Sequence, residues 1–214
     1  MSLGPAHPLR GGIARFNERL CTELIQLEKD VALHSFRYQY PGILFPGKTQ
    51  YSEGEAPEGL EIRDSIHSIN FLSWQLAART MLRENPDLVI IHYWMPFFTP
   101  AYLSLIRRIK RKSKARILLL AHNLIPHESQ PGTTFLTRKL LNTLDGLVAL
   151  SEAVRNDALK LNPVLKTTVL PHPVYDIYGD RTGKKEACKK LVLMENSPYI
   201  LFFGLIRKYK GLDL

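Results

Sequence analysis

The sequence predicts an α/β protein built on a Rossmann-like, doubly wound, mostly parallel sheet. Two observations carry this. DLVIIH (87–92) and RILLLA (116–121) are continuous apolar runs of strand length, as strands buried on both faces require. Around them, segments with apolar residues at helical spacing alternate with strand-like segments along the chain. Sheets of this kind take their ligands beyond the carboxyl ends of the strands, and the polar loops of this sequence fall at that edge. With 214 residues and 45% hydrophobic content, the chain is long enough for a sizeable core.

The first stretch, GPAHPLRGGIARFNERLCTEL (4–24), reads as a Gly/Pro-rich loop running into a helix whose buried face is expected to hold Ile13, Phe16, Leu20, Leu24 and Leu27. A glycine loop opening a helix leaves backbone N–H groups unpaired at the positive end of the helix dipole, and Arg10 adds a full charge. Gly11 and Gly12 therefore suit a phosphate or carboxylate. An ordinary tight turn is the other reading, since neither GxGxxG nor the P-loop lysine pattern is present.

Strands are expected at 30–38 and 60–66, separated by a long Pro/Gly-rich loop at 40–59. A helix from Asn70 stops before Pro86, and the strand 87–92 follows. Next comes a helix with Phe98, Ala101, Tyr102, Leu105, Ile106 and Ile109 on one face and Ser104, Arg107, Arg108 and Arg111 on the other. Strand 116–121 leads into the loop HNLIPHESQPG, then a helix at 134–144 and a strand at 146–150. Ser151 caps a helix running to Leu161, and 167–170 makes one more strand.

From Pro171 the composition changes to a linker and a lysine-rich helix at 184–191, and YILFFG (199–204) reads as a new buried strand. The predicted organisation is thus 1–172 as the Rossmann-like domain, 173–198 as linker and first helix region, and 199–214 as the opening of a second domain. Only Met1 to Leu3 precede Gly4, so the first strand of the sheet is expected to be missing. Both ends read as cut from a longer protein, and YILFFG is a candidate to fill the gap.

Two cysteines, Cys21 and Cys188, imply no disulfide framework, and a reducing cytoplasm fits best. No apolar run approaches a bilayer span. The net charge of +9 is concentrated at 107–116, where seven Lys and Arg occur without an acidic residue. Two readings stand for that segment: a solvated helix face, or attraction to an anionic membrane surface. Nucleic acid is not expected, because no zinc spacing, basic-leucine pattern or aromatic RNA-binding signature accompanies the charge.

GPAHPLRGGIARF, PDLVIIHYW, HNLIPHE, VALSEAVRNDAL, VLPHPVYD and FFGLIRKYKGLDL, in this order and spacing, resemble the amino-terminal half of a retaining glycosyltransferase of family 4, the group 1 transferases with the two-domain GT-B fold. The resemblance implies transfer of a sugar from a nucleotide donor, held mainly by the second domain, to a glycan or lipid-linked acceptor held by the first, with anomeric configuration kept. It assigns Gly11, Gly12, Gly204, Arg207 and Lys210 to the donor. Arg207 stands three residues after Gly204, whereas the family pattern has its arginine immediately after that glycine.

The resemblance also places His122, at a strand end, by the transferring sugar as the catalytic candidate. Arg10, Tyr93, Trp94, Asn123, His127 and Glu128 are assigned to the acceptor side, although aromatics at a strand end are as readily core. His172 reads as a hinge. No metal or other cofactor is expected: His122, His127 and Glu128 lack the HExxH spacing of a zinc site. The resemblance further implies that this chain alone does not catalyse transfer, and a non-catalytic binding module is the competing reading.

Overall fold

The computed structural model describes residues 1–42, 49–125, 132–174, 179–202 and 211. Its strands are β1 (Ser2–Leu3), β2 (Leu33–Tyr38), β3 (Ile62–His67), β4 (Leu88–Tyr93), β5 (Arg116–Ala121), β6 (Gly146–Ala149) and β7 (Thr167–Val169). All neighbouring pairs are parallel, in the order β3-β2-β1-β4-β5-β6-β7. The chain runs outward from β1 to β3, returns to the centre, and runs outward the other way from β4, which is the doubly wound order.

The strand expected to be missing is β1. Ser2 pairs with Leu33 on one side and Ile90 on the other, and Leu3 pairs with His34 and Ile91. Hydrogen bonds from Ser2 N–H to the Ala32 carbonyl (2.8 Å) and from Ile90 N–H to the Met1 carbonyl (3.0 Å) tie it on both sides. The sheet centre therefore has no gap for YILFFG to fill, and 199–202 form no strand. Two residues are too few to show a period, so β1 is defined by its neighbours.

α1 (Gly12–Gln26) covers one face, where its Phe16 meets His92 of β4 and its Asn17 meets Ser2 of β1. On the other lie α2 (Phe71–Arg83), α3 (Thr99–Lys112), α4 (Thr133–Leu141) and α5 (Glu152–Leu161), each packed against the next. Val89, Ile91 and Tyr93 of β4 and Ile117, Leu119 and Ala121 of β5 point to the four-helix face and build the main core with Tyr102, Leu105, Ile106 and Ile109. Asn70 caps α2 by accepting from Leu72 and Ser73 N–H, and Ser151 caps α5 by accepting from Val154 N–H.

The buried stripe of α1 differs from the expected one. Ala14, Phe16, Asn17 and Cys21 are buried, Ile13, Leu20 and Leu24 flank them half-buried, and Leu27 is exposed. The helix lies close over β1, where Asn17 accepts from the Ser2 hydroxyl (2.5 Å) and donates to the Pro5 carbonyl (3.0 Å). Ala14, Asn17 and Cys21 fill that narrow space, and of the larger apolar residues only Phe16 is buried, while the others stand at the sides.

The chain divides into two compact units, Met1–His172 and Pro173–Leu214. In the second, α6 (Lys184–Leu191) buries Cys188, and the Tyr199 hydroxyl accepts from Met194 N–H.

Candidate functional site

The ends of β1, β4 and β5 meet where the strand order reverses, the position at which open α/β sheets bind ligands. The loop from β1 to α1 is held from several sides. Ala6 N–H donates to Ser35 Oγ (3.0 Å), His7 N–H to the Glu18 carboxylate (2.6 Å), and Arg10 N–H to the Gln50 carbonyl (2.9 Å). Pro5, Ala6 and Leu9 are buried, whereas Arg10, Gly11 and Gly12 are exposed.

Gly11 adopts φ 136°, a conformation that side chains rarely permit, and serves as the N-cap of α1 with no side-chain capping bond. A Cβ at Gly11 or Gly12 would meet no heavy atom within 4 Å. There is thus room for side chains at the start of α1, which lies at the positive end of the helix dipole, with Arg10 next in sequence and no acidic residue in the first turn.

His122 directly follows β5, and its N–H donates to the Tyr93 carbonyl (2.8 Å). Its Nε2 lies 3.1 Å from Nδ1 of His92, a fully buried residue of β4. Burial, with a smaller contribution from His172, lowers the His122 pKa to about 4. Burial and His122 hold His92 well below the ordinary imidazole range. Both rings are therefore neutral at neutral pH.

Phe16 of α1 supports this pair, its ring centroid 5.9 Å from that of His92, 5.3 Å from His122 and 5.0 Å from His172, edge to face in each case. His172, expected as a hinge, thus joins the same group of rings. Asn123, next to His122, is half-buried.

The aromatic residues after β4 divide. Tyr93 is fully buried on the helix side, with its hydroxyl between Thr99 (3.3 Å) and Thr137 (3.0 Å). It is a core residue and not part of an acceptor surface, because strand alternation turns it away from His92. Trp94 is half-buried and donates from Nε1 to the Tyr40 hydroxyl (2.6 Å), with Phe98 at 4.5 Å between centroids. Burial raises the Tyr40 pKa to about 12, so this hydroxyl stays protonated.

His127, Glu128, Gly204, Arg207 and Lys210 lie outside the described residues. Among the described residues no group of three His, Cys, Asp or Glu is placed to hold a metal ion. A cleft of about 550 Å³ opens at the opposite edge of the sheet, between Met1, Asp30, Glu84 and Asp87. It lies at the amino ends of the strands, away from the switch point, and its Glu84 is already bound by Arg63 and His34.

Residue reasoning missed the partnership of His92 with His122 and the place of Phe16 beneath both. Asn17, a polar residue spaced three after Ala14 and four before Cys21, was a readable signal that the helix packs against backbone carbonyls.

With this geometry in hand, the family comparison is decisive: the model for Glycosyltransferase Family 4 matches residues 10–176. The chain belongs to glycosyltransferase family 4. The family-4 region takes in everything from the start of α1 through β7 and His172. No curated protein matches this family-4 chain in sequence. Among solved structures it is similar to one described as trehalose-6-phosphate from E. coli bound with UDP-2-fluoro glucose. Identity is 16% and the TM-score 0.46, over 88% of this chain and 50% of that one. The chain therefore spans half the length of the solved chain it matches.

Proposed function

We propose that the unit Met1–His172 is the acceptor-side part of a retaining glycosyltransferase that moves a sugar from a nucleotide-sugar donor to a glycan or lipid-linked acceptor. The observation that carries this reading is the loop from β1 to α1 at the switch point of the sheet, where Gly11 starts α1 with φ 136° next to Arg10, and Phe16 of the same helix packs on His122 at the end of β5. Breaking a glycosyl–phosphate bond puts charge on the departing diphosphate, and backbone N–H groups with a nearby cation meet that charge without a metal. Arg10 supplies the cation at the amino-terminal end of α1, and the family resemblance puts Gly11 and Gly12 at the diphosphate.

Neutral His122 faces the transferring sugar as a hydrogen-bonding group, and Trp94 and Asn123 border the acceptor. Sequence pattern alone assigns the donor phosphates to Gly204, Arg207 and Lys210 as well, and His127 and Glu128 to the acceptor. Neither metal nor cofactor enters this reading, and the chain by itself is expected to be inactive.

Titration of the ¹⁵N-labelled chain with a panel of nucleoside diphosphates and their sugars tests it. Shifts are expected at the amides of Gly11 to Ala14, and Arg10→Ala should weaken binding by roughly 1.5- to 5-fold, the worth of one exposed charged contact. No response at α1 to any member of the panel would overturn the reading, and sugar transfer by this chain alone would refute its expected inactivity.

The helix face of the sheet favours a second element, a peripheral position on an anionic membrane at the cytoplasmic side. Helices α2, α3 and α4 contain no Asp or Glu, and α3 carries Arg107, Arg108, Lys110, Arg111 and Lys112. Ile69, Leu72 and Leu76, just before and within α2, are exposed at helical spacing. No helix among the described residues is long and apolar enough to cross a membrane. Replacing Arg107, Arg108 and Arg111 by Glu should abolish sedimentation with phosphatidylglycerol vesicles at low salt. Unchanged sedimentation would remove this element, and tight binding to DNA instead would point to nucleic acid.

A further inference from the structure

His92 is fully buried, its Nδ1 lies 3.1 Å from Nε2 of His122, and its own Nε2 is buried without a hydrogen-bond partner among the described residues. Gly4 and Phe16 hold the ring in place. A Cβ on Gly4 would come within 2.8 Å of His92 Cβ, and the Phe16 ring lies edge-on to both imidazoles. Two neutral rings that share one hydrogen bond have two arrangements. Either His122 donates from Nε2, which leaves His92 with a buried N–H that has no acceptor, or His92 donates from Nδ1, which leaves only a buried lone pair unmatched. Orphaned buried N–H groups are the rarer of the two in folded proteins.

We infer that His92 is a positioning residue: it donates from Nδ1 to His122 and thereby holds His122 as the Nδ1–H tautomer, a hydrogen-bond donor aimed at an oxygen of the bound sugar. A ring nitrogen's tautomer is set by the bond its other nitrogen makes. With Nε2 occupied by His92, the remaining nitrogen of His122 carries the proton and can only donate. It therefore recognises a hydroxyl or ring oxygen and does not act as a base toward the acceptor. This deepens the reading of His122 as a sugar-facing residue and rests on it for its purpose, though not for its geometry.

Two-bond ¹H–¹⁵N correlation spectra of the ¹⁵N-histidine-labelled chain at pH 7 test the inference. His122 is expected with its proton on Nδ1. His92→Asn keeps an N–H close to the position of the imidazole Nδ1 and should preserve that pattern, whereas His92→Leu should shift His122 toward a tautomer mixture. A His122 proton on Nε2 in the wild type, or a pattern unchanged in a folded His92→Leu, overturns the inference. These spectra need no ligand, so failure there leaves the proposed function standing. A locked Nδ1–H tautomer whose signals respond to no nucleotide sugar or glycan would instead sustain the lock and refute the sugar-facing role.

Discussion

Gly4 is the point at which the central strand, α1 and the histidine pair press on one another, so Gly4→Ala should propagate to all three. An added Cβ would stand 2.8 Å from His92 Cβ, 3.0 Å from its Cγ and 3.1 Å from Asn17 Nδ2, about 0.6 Å short of the 3.4 Å at which ordinary contact begins. No neighbour yields easily. The strand is held by Gly4 N–H to the His34 carbonyl (3.1 Å), Asn17 by Ser2 and Pro5, and His92 by His122 and Phe16. Overpacking of this kind typically costs about 1–3 kcal/mol. For a domain of this size that lowers Tm by about 2–12 °C.

The assay is thermal unfolding followed by circular dichroism, with Gly12→Ala as the control. Gly12 begins α1 with open space around it, so alanine there should leave Tm unchanged or raise it, by up to about 1 kcal/mol of helix propensity. In ¹⁵N spectra Gly4→Ala should also move the His92 and His122 signals. A Gly4→Ala protein that melts with the wild type would refute the close approach and, with it, the account of how His92 is held.

His34 and His122 both have pKa values lowered to about 4, chiefly by burial. The unfolded chain takes up their protons near pH 6.5 while the folded one does not, so their stability is full above that pH and is lost as pH falls toward 4. The slope reaches about 1.4 kcal/mol per pH unit for each group. Urea midpoints at pH 7, 6 and 5 should fall accordingly, and midpoints that stay level would show that these rings are not held neutral. Asn17→Leu leaves the Pro5 carbonyl and the Ser2 hydroxyl without their partner in a dry site, so a loss of about 1–3 kcal/mol is expected. A neutral result in the same unfolding assay would mean that water reaches both groups.

Much of this architecture is readable residue by residue because its causes are local. The apolar runs of β4 and β5, buried on both faces, carry no alternation and so announce a parallel sheet. Asn70 and Ser151 mark helix starts because a cap acts on N–H groups two or three residues away. The order of motifs also sufficed to indicate the family that the comparison of residues 10–176 establishes.

Other features exist only through distant partners. Ser2 and Leu3 are a strand because β2 and β4 flank them. Tyr93 is core and its neighbour His92 turns toward α1, a division set by which face of the sheet each helix covers. The pairing of His92 with His122 depends on the register of β4 against β5, which brings residues thirty apart into contact. Sequence by itself determined most of the elements and their order, β1 excepted, since propensity, capping and hydrophobic period act over a few residues. Only the tertiary structure decided which side chains meet at the carboxyl ends of the strands, because strand register and helix face are settled when whole elements pack.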